Sequence, residues 1–105
     1  QFFIDDSPSP VAHISHFETG CTIEGTTQLT TGGWFYVTQV QSTATITLYV
    51  NGVAGGSGGG CSNPKTTTTF NIGASWTSGG GANEWFNGKI DEVKVSNVDR
   101  SSGWL

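Results

Sequence analysis

Residues 45–53 constrain the fold of this chain more than any other segment. Their side chains alternate between apolar and polar, a period of two that is typical of a strand buried on one face. The apolar face carries Ile46, Leu48 and Val50. The pair Asn51-Gly52 follows at once, and both residues tolerate the positive φ angles of a type I′ turn. The segment therefore predicts a half-buried strand that enters a tight hairpin.

The composition is that of a small β protein. Charged residues make up 11% of the chain, Gly occurs 16 times and Met is absent, a balance that favours Gly- and Thr-rich strands over helices. Four Trp, six Phe and two Tyr supply enough aromatic surface for a buried core. A length of 105 residues predicts a single domain over residues 1–105.

The charge balance excludes several classes of partner. A net charge of −4 with four Lys and Arg residues provides no basic surface for nucleic acid or anionic lipid. The longest apolar runs are far shorter than the roughly 18 residues that a membrane-spanning helix requires. Low charge with abundant Ser, Thr and Gly favours an extracellular or cell-surface location. The first residues lack the basic region of a signal peptide, so we expect that any such peptide has been removed or that the chain is a piece of something longer.

The two cysteines, Cys21 and Cys61, are far apart in the sequence. Their spacing matches neither a zinc motif nor a Cys-x-x-Cys motif. We predict that they form a disulfide, which would close a loop of about 40 residues and stabilise the fold by roughly 4 kcal/mol. The alternative is two unpaired thiols, one of them in an exposed loop.

Other segments also have strand patterns. We predict strands over residues 2–5, 11–19, 22–28, 34–40 and 66–73, and a last strand segment over residues 84–96 with a turn at Asn87-Gly88. Residues 34–40 are apolar on both faces, as expected for the central strand of a two-layer sandwich, and Trp34 is predicted to lie in the core. Phe70 and Ile72 are predicted to face inward. Residues 98–105 have room for a single helical turn.

Two Gly-rich segments separate these strands. Residues 53–65 contain a run of glycines with the composition of a flexible linker, and we predict a long surface loop held by Cys61. Residues 75–83 are predicted to form a second loop. Ile90 and Val93 differ in parity along their strand, so both reach the core only if a β-bulge lies near Asp91 and Glu92.

Four of these segments together carry a family likeness. Gly-Trp-Phe-Tyr-Val at 33–37, Thr-Leu-Tyr-Val-Asn-Gly-Val at 47–53, Phe-Asn-Ile-Gly at 70–73 and Phe-Asn-Gly-Lys-Ile-Asp-Glu-Val at 86–93 follow one another in order. In this the chain resembles the laminin-G-like, concanavalin A-like lectin/glucanase superfamily, and residues 90–104 look most like its secreted prokaryotic members. The resemblance implies an all-β fold, an antiparallel jelly-roll β-sandwich.

The resemblance begins in the middle of the family's domain and covers its C-terminal half. The usual amino-terminal strands have no counterpart before Phe2. The sandwich is therefore expected to be shortened, to be a fragment, or to be completed by strands from a partner chain. An incomplete sandwich exposes strand edges that invite strand addition, and the apolar residues Phe2, Phe3 and Ile4 are the candidates for self-assembly or strand exchange with another chain.

Candidate ligand-binding residues are the loop tryptophans. Trp76 and Trp85 flank the Gly-rich residues 77–83, and an exposed aromatic ring there would suit stacking on a sugar. The alternative is that both rings close the ends of the sandwich, as large aromatic side chains commonly do.

Candidate metal ligands are carboxylates and histidines. Some related lectin-like domains bind calcium through carboxylates and loop carbonyls, and Asp5, Asp6 and Asp99 are the oxygen ligands of that type here. Adjacent acids at a turn are more often simply solvated. His13 and His16 are three residues apart, which places them on opposite faces of a strand, so the simpler interpretation is two polar residues on a half-exposed strand.

The sequence contains no recognisable catalytic constellation. Glycoside hydrolysis needs two carboxyl groups about 5–9.5 Å apart, whereas the adjacent Asp91 and Glu92 point to opposite faces of a regular strand. Asp91 is expected to have a structural role, accepting backbone N–H groups or pairing with Lys89 or Arg100. Because some members of the superfamily are glycoside hydrolases, hydrolase activity is the third functional alternative.

We therefore predict a non-enzymatic, secreted or cell-surface module that binds a glycan or a protein, in adhesion or recognition. The alternative from another class is a structural subunit of an extracellular filament or pilus-like assembly. Neither prediction requires a cofactor, with calcium as the one candidate ion.

Overall fold

The computed structural model describes residues 2–5, 12–18, 20–61, 71–76, 82–83 and 85–104. The strands in these residues are β1 (Phe2–Asp5), β2 (His13–Glu18), β3 (Cys21–Glu24), β4 (Val37–Ser42), β5 (Thr45–Val50), β6 (Val53–Gly58), β7 (Ser75–Trp76) and β8 (Ala82–Asn83). All of the strand pairs are antiparallel, and the described residues contain no helix, which confirms the predicted all-β class.

The chain divides into two compact units. One comprises Gln1–Asn63 with Val98–Leu105, and the other comprises Pro64–Asn97. The first unit contains two three-stranded sheets, in the orders β1-β2-β3 and β4-β5-β6, and the second contains the β7-β8 pair. The single domain over residues 1–105 stays a prediction.

The core of the first unit lies between its two sheets. Ile14 and Ile23 come from the first sheet, and Ile46, Leu48 and Val50 from the second. Ile46 and Leu48 have no exposed surface, so the face predicted from the alternation in residues 45–50 is the face that is buried. Since apolar side chains from both sheets meet in one cluster, this unit is a small β-sandwich.

The predicted tight turn at Asn51-Gly52 is present, and it joins β5 to β6. Asn51 has a φ of 51° and Gly52 a φ of 80°, the two positive angles of a type I′ turn. Asn51 has a second role, because its N–H donates to the Tyr36 carbonyl at 2.7 Å and its Oδ1 accepts the Tyr36 N–H at 3.0 Å. One side chain thus shapes the turn and extends the pairing of β4 with β5 by one residue.

The prediction of a long surface loop over residues 53–65 is wrong for the first part of this Gly-rich segment. Residues 53–58 form strand β6 and not a surface loop. A Cβ atom at Gly56 would lie 2.6 Å from the Glu24 carbonyl oxygen, and one at Gly58 would lie 3.0 Å from the Ile23 side chain. The glycines therefore permit the close approach of β3 to β6, which the backbone N–H of Thr26 strengthens by donating to the Gly55 carbonyl.

The prediction that residues 34–40 form a central strand is also wrong. Strand β4 begins at Val37 and lies at the edge of its sheet, while β5 is paired on both sides. Trp34, predicted to be in the core, is 68% exposed. Trp34 precedes the first residue of β4, and its neighbour Phe35 is the side chain that packs against the core.

The third strand is shorter than the predicted residues 22–28. After β3 the chain continues beside β2, where Gly25 N–H donates to the Ile14 carbonyl at 2.8 Å and Leu29 N–H to the Ala12 carbonyl at 2.7 Å. Between these two bonds the N–H of Thr26 is directed to β6. The ladder is interrupted because one residue pairs with the other sheet.

Predictions for the second unit are corrected over the residues that the structure describes. Residues 85–97 belong to no strand, and Ile72, Ile90 and Val93 are exposed. The predicted bulge is absent there because Glu92 adopts a φ of 50° and its N–H bonds to the Asp91 side chain at 2.8 Å. Such local bonds compete with a ladder. The prediction for Phe70 lies outside the described residues.

Residues 101–104 form a single turn, in which Trp104 N–H donates to the Ser101 carbonyl at 2.9 Å. In the part of the chain that is described, we find no helix with the length and apolarity needed to cross a membrane.

Candidate functional site: exposed aromatic side chains and a buried polar group

Trp85 is the predicted ligand-binding residue whose side chain the structure describes. It lies in the second unit and is 72% exposed, next to the exposed Phe86. The backbone there is held by a hydrogen bond from Phe86 N–H to the Gly73 carbonyl at 2.9 Å. Trp76 lies in β7, where its backbone is paired with Ala82. The structure does not describe its side chain.

Two further tryptophans are exposed in the first unit. Trp34 precedes β4, and Tyr36, two residues later, is also exposed. Trp104 is exposed as well, and the Arg100 guanidinium lies 4.5 Å from the centre of its ring. The exposure of Trp34 was missed from the sequence, and the signal available was its position directly after Gly32-Gly33, where a strand begins later than its apolar residues suggest.

The predicted disulfide between Cys21 and Cys61 is present, and both residues are buried. Cys21 begins β3, and Cys61 follows β6, where its N–H donates to the Ala44 carbonyl at 3.1 Å. The covalent bond therefore joins the two sheets beside the contact between β3 and β6, and Cys61 holds the end of the Gly-rich segment as predicted.

Strand β2 contains two buried histidines. His13 and His16 lie on opposite faces of the strand, as predicted, but both are buried, which corrects the expectation of a half-exposed strand. His16 is on the core face, directly opposite Ile23 in the ladder. Its burial follows from a contact with the other sheet, since Nδ1 of His16 lies 2.9 Å from Oε1 of Gln39 on β4.

His16 is also close to a carboxylate and to both sulfur atoms. Its Nε2 lies 3.7 Å from Oε2 of Glu18. The side-chain donor atoms of His16, Glu18, Cys21 and Cys61 all lie within 4.8 Å of one another, which makes this a potential metal-ligand group among the described residues. In the oxidised chain both sulfur atoms are used by the disulfide.

The calcium prediction stays a prediction. Asp5 ends β1 and is half-buried, and Asp99 is exposed, while Asp6 lies outside the described residues. Asp91 accepts the Glu92 N–H, in keeping with its expected structural role, and Glu92 is paired with Lys94 at 3.4 Å on the surface.

Strand β1 lies at the edge of the first sheet. Phe2, Phe3 and Ile4 are all exposed. Phe2 is opposite His16 and Ile4 is opposite Ile14, so both lie on the face that carries the core. At this edge the apolar face of the sheet is only partly covered.

Comparisons with known proteins bear on the fold and its setting. A laminin-G-type family model, described as the concanavalin A-like lectin/glucanases superfamily, matches residues 2–104. A 2.1 Å crystal structure of an S-layer domain-containing protein (residues 221–444) from Clostridium thermocellum is similar, with a TM-score of 0.66 and 27% sequence identity. The similarity covers 89% of this chain and 48% of that one, so this chain spans about half the length of its structural neighbour. The comparison with curated proteins finds no significant match.

Proposed function

We propose that this chain, which belongs to the concanavalin A-like lectin/glucanase superfamily, is an extracellular, non-enzymatic module that binds a glycan through exposed aromatic side chains. The observation that carries the proposal is the 72% exposure of Trp85. Tryptophan is among the residues that contribute most when an interface buries them. Its flat ring suits a pyranose, whose C–H groups form a flat apolar face.

Two observations support the extracellular setting. The similar crystal structure comes from an S-layer domain-containing protein, and the chain contains a disulfide between Cys21 and Cys61. Disulfides persist in oxidising compartments such as the cell exterior. Domains of this superfamily are typically binding modules, although some members are enzymes, and the family membership supports binding as the activity to test first.

The test is to measure the binding of soluble polysaccharides, either by calorimetric titration or by the retardation of the protein in a gel that contains the polysaccharide. Trp85→Ala is expected to weaken binding about 30-fold, because truncating a central Trp costs about 2 kcal/mol or more. Val95→Ala is the matched control, since Val95 is a strongly exposed apolar residue of the same unit without a flat ring. Equal affinities for the Trp85→Ala variant and the unmodified chain would contradict the proposal, as would saturable binding to a protein but to no polysaccharide.

A second candidate function is a structural subunit of an extracellular filament or pilus-like assembly, in which strands from a partner chain complete the sandwich. The observation that favours it is β1, an edge strand with exposed apolar side chains. Edge strands of this kind are templates for strand addition.

Sedimentation of the chain over a range of concentrations tests this candidate. The unmodified chain is expected to associate as its concentration rises. Phe3→Lys is expected to remain monomeric, because a charge on an edge strand opposes edge-to-edge pairing. Val95→Lys, a new charge on the second unit, serves as the control and should associate normally. A monomer at every concentration would exclude the assembly.

A further inference from the structure

We propose that the reduced form of this domain binds one zinc-class divalent ion through Nε2 of His16, the Glu18 carboxylate and the thiolates of Cys21 and Cys61. One side-chain donor atom from each of these four residues lies within 4.8 Å of the other three, and Nε2 is the ring nitrogen that lies 3.7 Å from the Glu18 carboxylate. They are the donor types that zinc prefers, and four of them form a closed tetrahedral shell. The two cysteines follow no zinc motif in the sequence, so the site arises only from the fold.

The topology brings the four residues together. His16 and Glu18 lie two residues apart on β2, so their side chains share a face. Glu18 is directly opposite Cys21 in the ladder between β2 and β3. Cys61 reaches the same place from the end of β6, through the close approach that the glycines of that strand permit. Both sheets of the sandwich thus contribute to one group.

The first independent observation is the state of His16. Its side chain is buried, with 7% relative exposure, and its Nε2 has no hydrogen-bond partner. A buried imidazole nitrogen without a partner costs free energy. The Glu18 oxygen at 3.7 Å is too far for a hydrogen bond, yet close to the roughly 3.4 Å that separates two ligands about 2.0–2.1 Å from a tetrahedral zinc ion.

The second observation is the orientation of the same ring. Nδ1 of His16 lies 2.9 Å from Oε1 of Gln39, and because an amide oxygen can only accept, Nδ1 is the donor. Nε2 is then left with a lone pair, and Oε2 of Glu18 lies 3.7 Å from it. Metal-bound histidines almost always use the other ring nitrogen in this way, and the contact fixes both the tautomer and the ring position. Gln39 is therefore a positioning residue for the proposed ligand.

The chemical step is a two-electron reduction. A dithiol reductant transfers two electrons and two protons, the bond between the Cys21 and Cys61 sulfur atoms breaks, and the reductant closes to its own disulfide. The two thiols then lose their protons to solvent as the ion binds, since the thiolate is the ligand. The sulfur atoms separate to about 3.8 Å in a tetrahedral site with Zn–S distances of about 2.3 Å. The ion replaces the disulfide as the link between the two sheets.

The test uses the whole chain, reduced by a dithiol that is then removed under argon, with Co²⁺ as the spectroscopic probe and Zn²⁺ as the competitor. One equivalent of Co²⁺ is expected to give the visible bands of a tetrahedral site and the near-ultraviolet absorption of cobalt–thiolate bonds, and Zn²⁺ should abolish both. The oxidised chain should give neither. Thiolate absorption without the tetrahedral bands, or binding of equal strength by the oxidised chain, would overturn the proposal.

Variants separate the ligands from a structural effect. His16→Ala is expected to remove the tetrahedral spectrum, and Gln39→Ala to weaken the affinity about 10–100-fold, as removal of an orienting partner does. Glu24→Gln, an exposed residue of β3, is the control and should bind normally. If reduction unfolds the chain, Zn²⁺ is expected to restore the near-ultraviolet circular dichroism of the folded state. A reduced chain that stays unfolded with Zn²⁺ would also overturn the proposal.

Discussion

Gly56 offers the most direct test of how the two sheets are held together. A Cβ atom at this position would lie 2.6 Å from the Glu24 carbonyl oxygen and 3.2 Å from the Gly25 Cα atom. Both obstacles are backbone atoms, so no side-chain rotation can relieve the overlap and β3 would have to move away from β6. We expect Gly56→Ala to destabilise the fold by about 3 kcal/mol, the upper end of the usual range for overpacking.

The same protein supplies the matched control. A Cβ atom at Gly59 would come no closer than 3.9 Å to a neighbouring atom, so Gly59→Ala is expected to be neutral or to stabilise the fold by up to about 1 kcal/mol through the unfolded chain. Gly58→Ala should fall between the two, because its 3.0 Å neighbour is the Ile23 side chain, which can adjust. Each of the three variants adds one methyl group to the unmodified chain, and only the position of that group differs.

Thermal unfolding followed by circular dichroism measures the difference. For a domain of this size about 1 kcal/mol corresponds to roughly 4–8 °C in Tm, so Gly56→Ala should melt at least ~10 °C below Gly59→Ala. Equal melting temperatures for these two variants would show that the glycines of β6 are not required for the close approach of β3.

Two further predictions concern the disulfide and the hairpin. Reduction of the Cys21–Cys61 bond in a buffer with a metal chelator is expected to lower the free energy of unfolding by roughly 4 kcal/mol, measured by urea denaturation; an unchanged midpoint would contradict it. Asn51→Gly keeps the turn but loses the hydrogen bond from Tyr36 and should cost about 0.5–1.5 kcal/mol, while Asn51→Ala also forces a positive φ and should cost about 1–2 kcal/mol more. The same denaturation assay gives the order, and an Asn51→Ala variant as stable as the unmodified chain would refute the explanation of the turn.

Features with a local cause were predictable from the sequence. The alternation in residues 45–50 and the Asn51-Gly52 pair depend on neighbours along the chain, and the strand, its buried face and the turn all follow from them. The Cys21–Cys61 bond was also predictable, because a chain with two cysteines and an extracellular composition has one way to pair them.

Features that depend on the opposite sheet were not predictable. A run of glycines has the composition of a linker. At Gly56, however, the absence of a side chain allows β3 to approach β6 closely. Trp34 continues the apolar pattern of β4, but β4 begins only at Val37 and the core takes up Phe35 instead of Trp34. A single sequence does not contain either piece of information, because each is set by a strand elsewhere in the chain.

The candidate sites divide in the same way. Trp85 could be proposed because a Gly-rich segment precedes it, and its exposure is compatible with the proposed role. The metal-ligand group around His16 could not be predicted from the sequence. Its members are spread from β2 to Cys61, and only the fold brings them together. Sequence spacing identifies a site when one local element carries its ligands, and here no such element does.

The Asn51-Gly52 turn has a consequence for the ageing of the protein. An asparagine followed by glycine is prone to lose its side-chain amide, because the unshielded nitrogen of the next residue can attack the side-chain carbonyl and close a ring. In the folded hairpin, the bond from Tyr36 to Oδ1 holds that carbonyl in a fixed position. The conversion of residue 51 should therefore proceed mainly in unfolded molecules, and its extent in an old sample would record how much time the chain has spent without its fold.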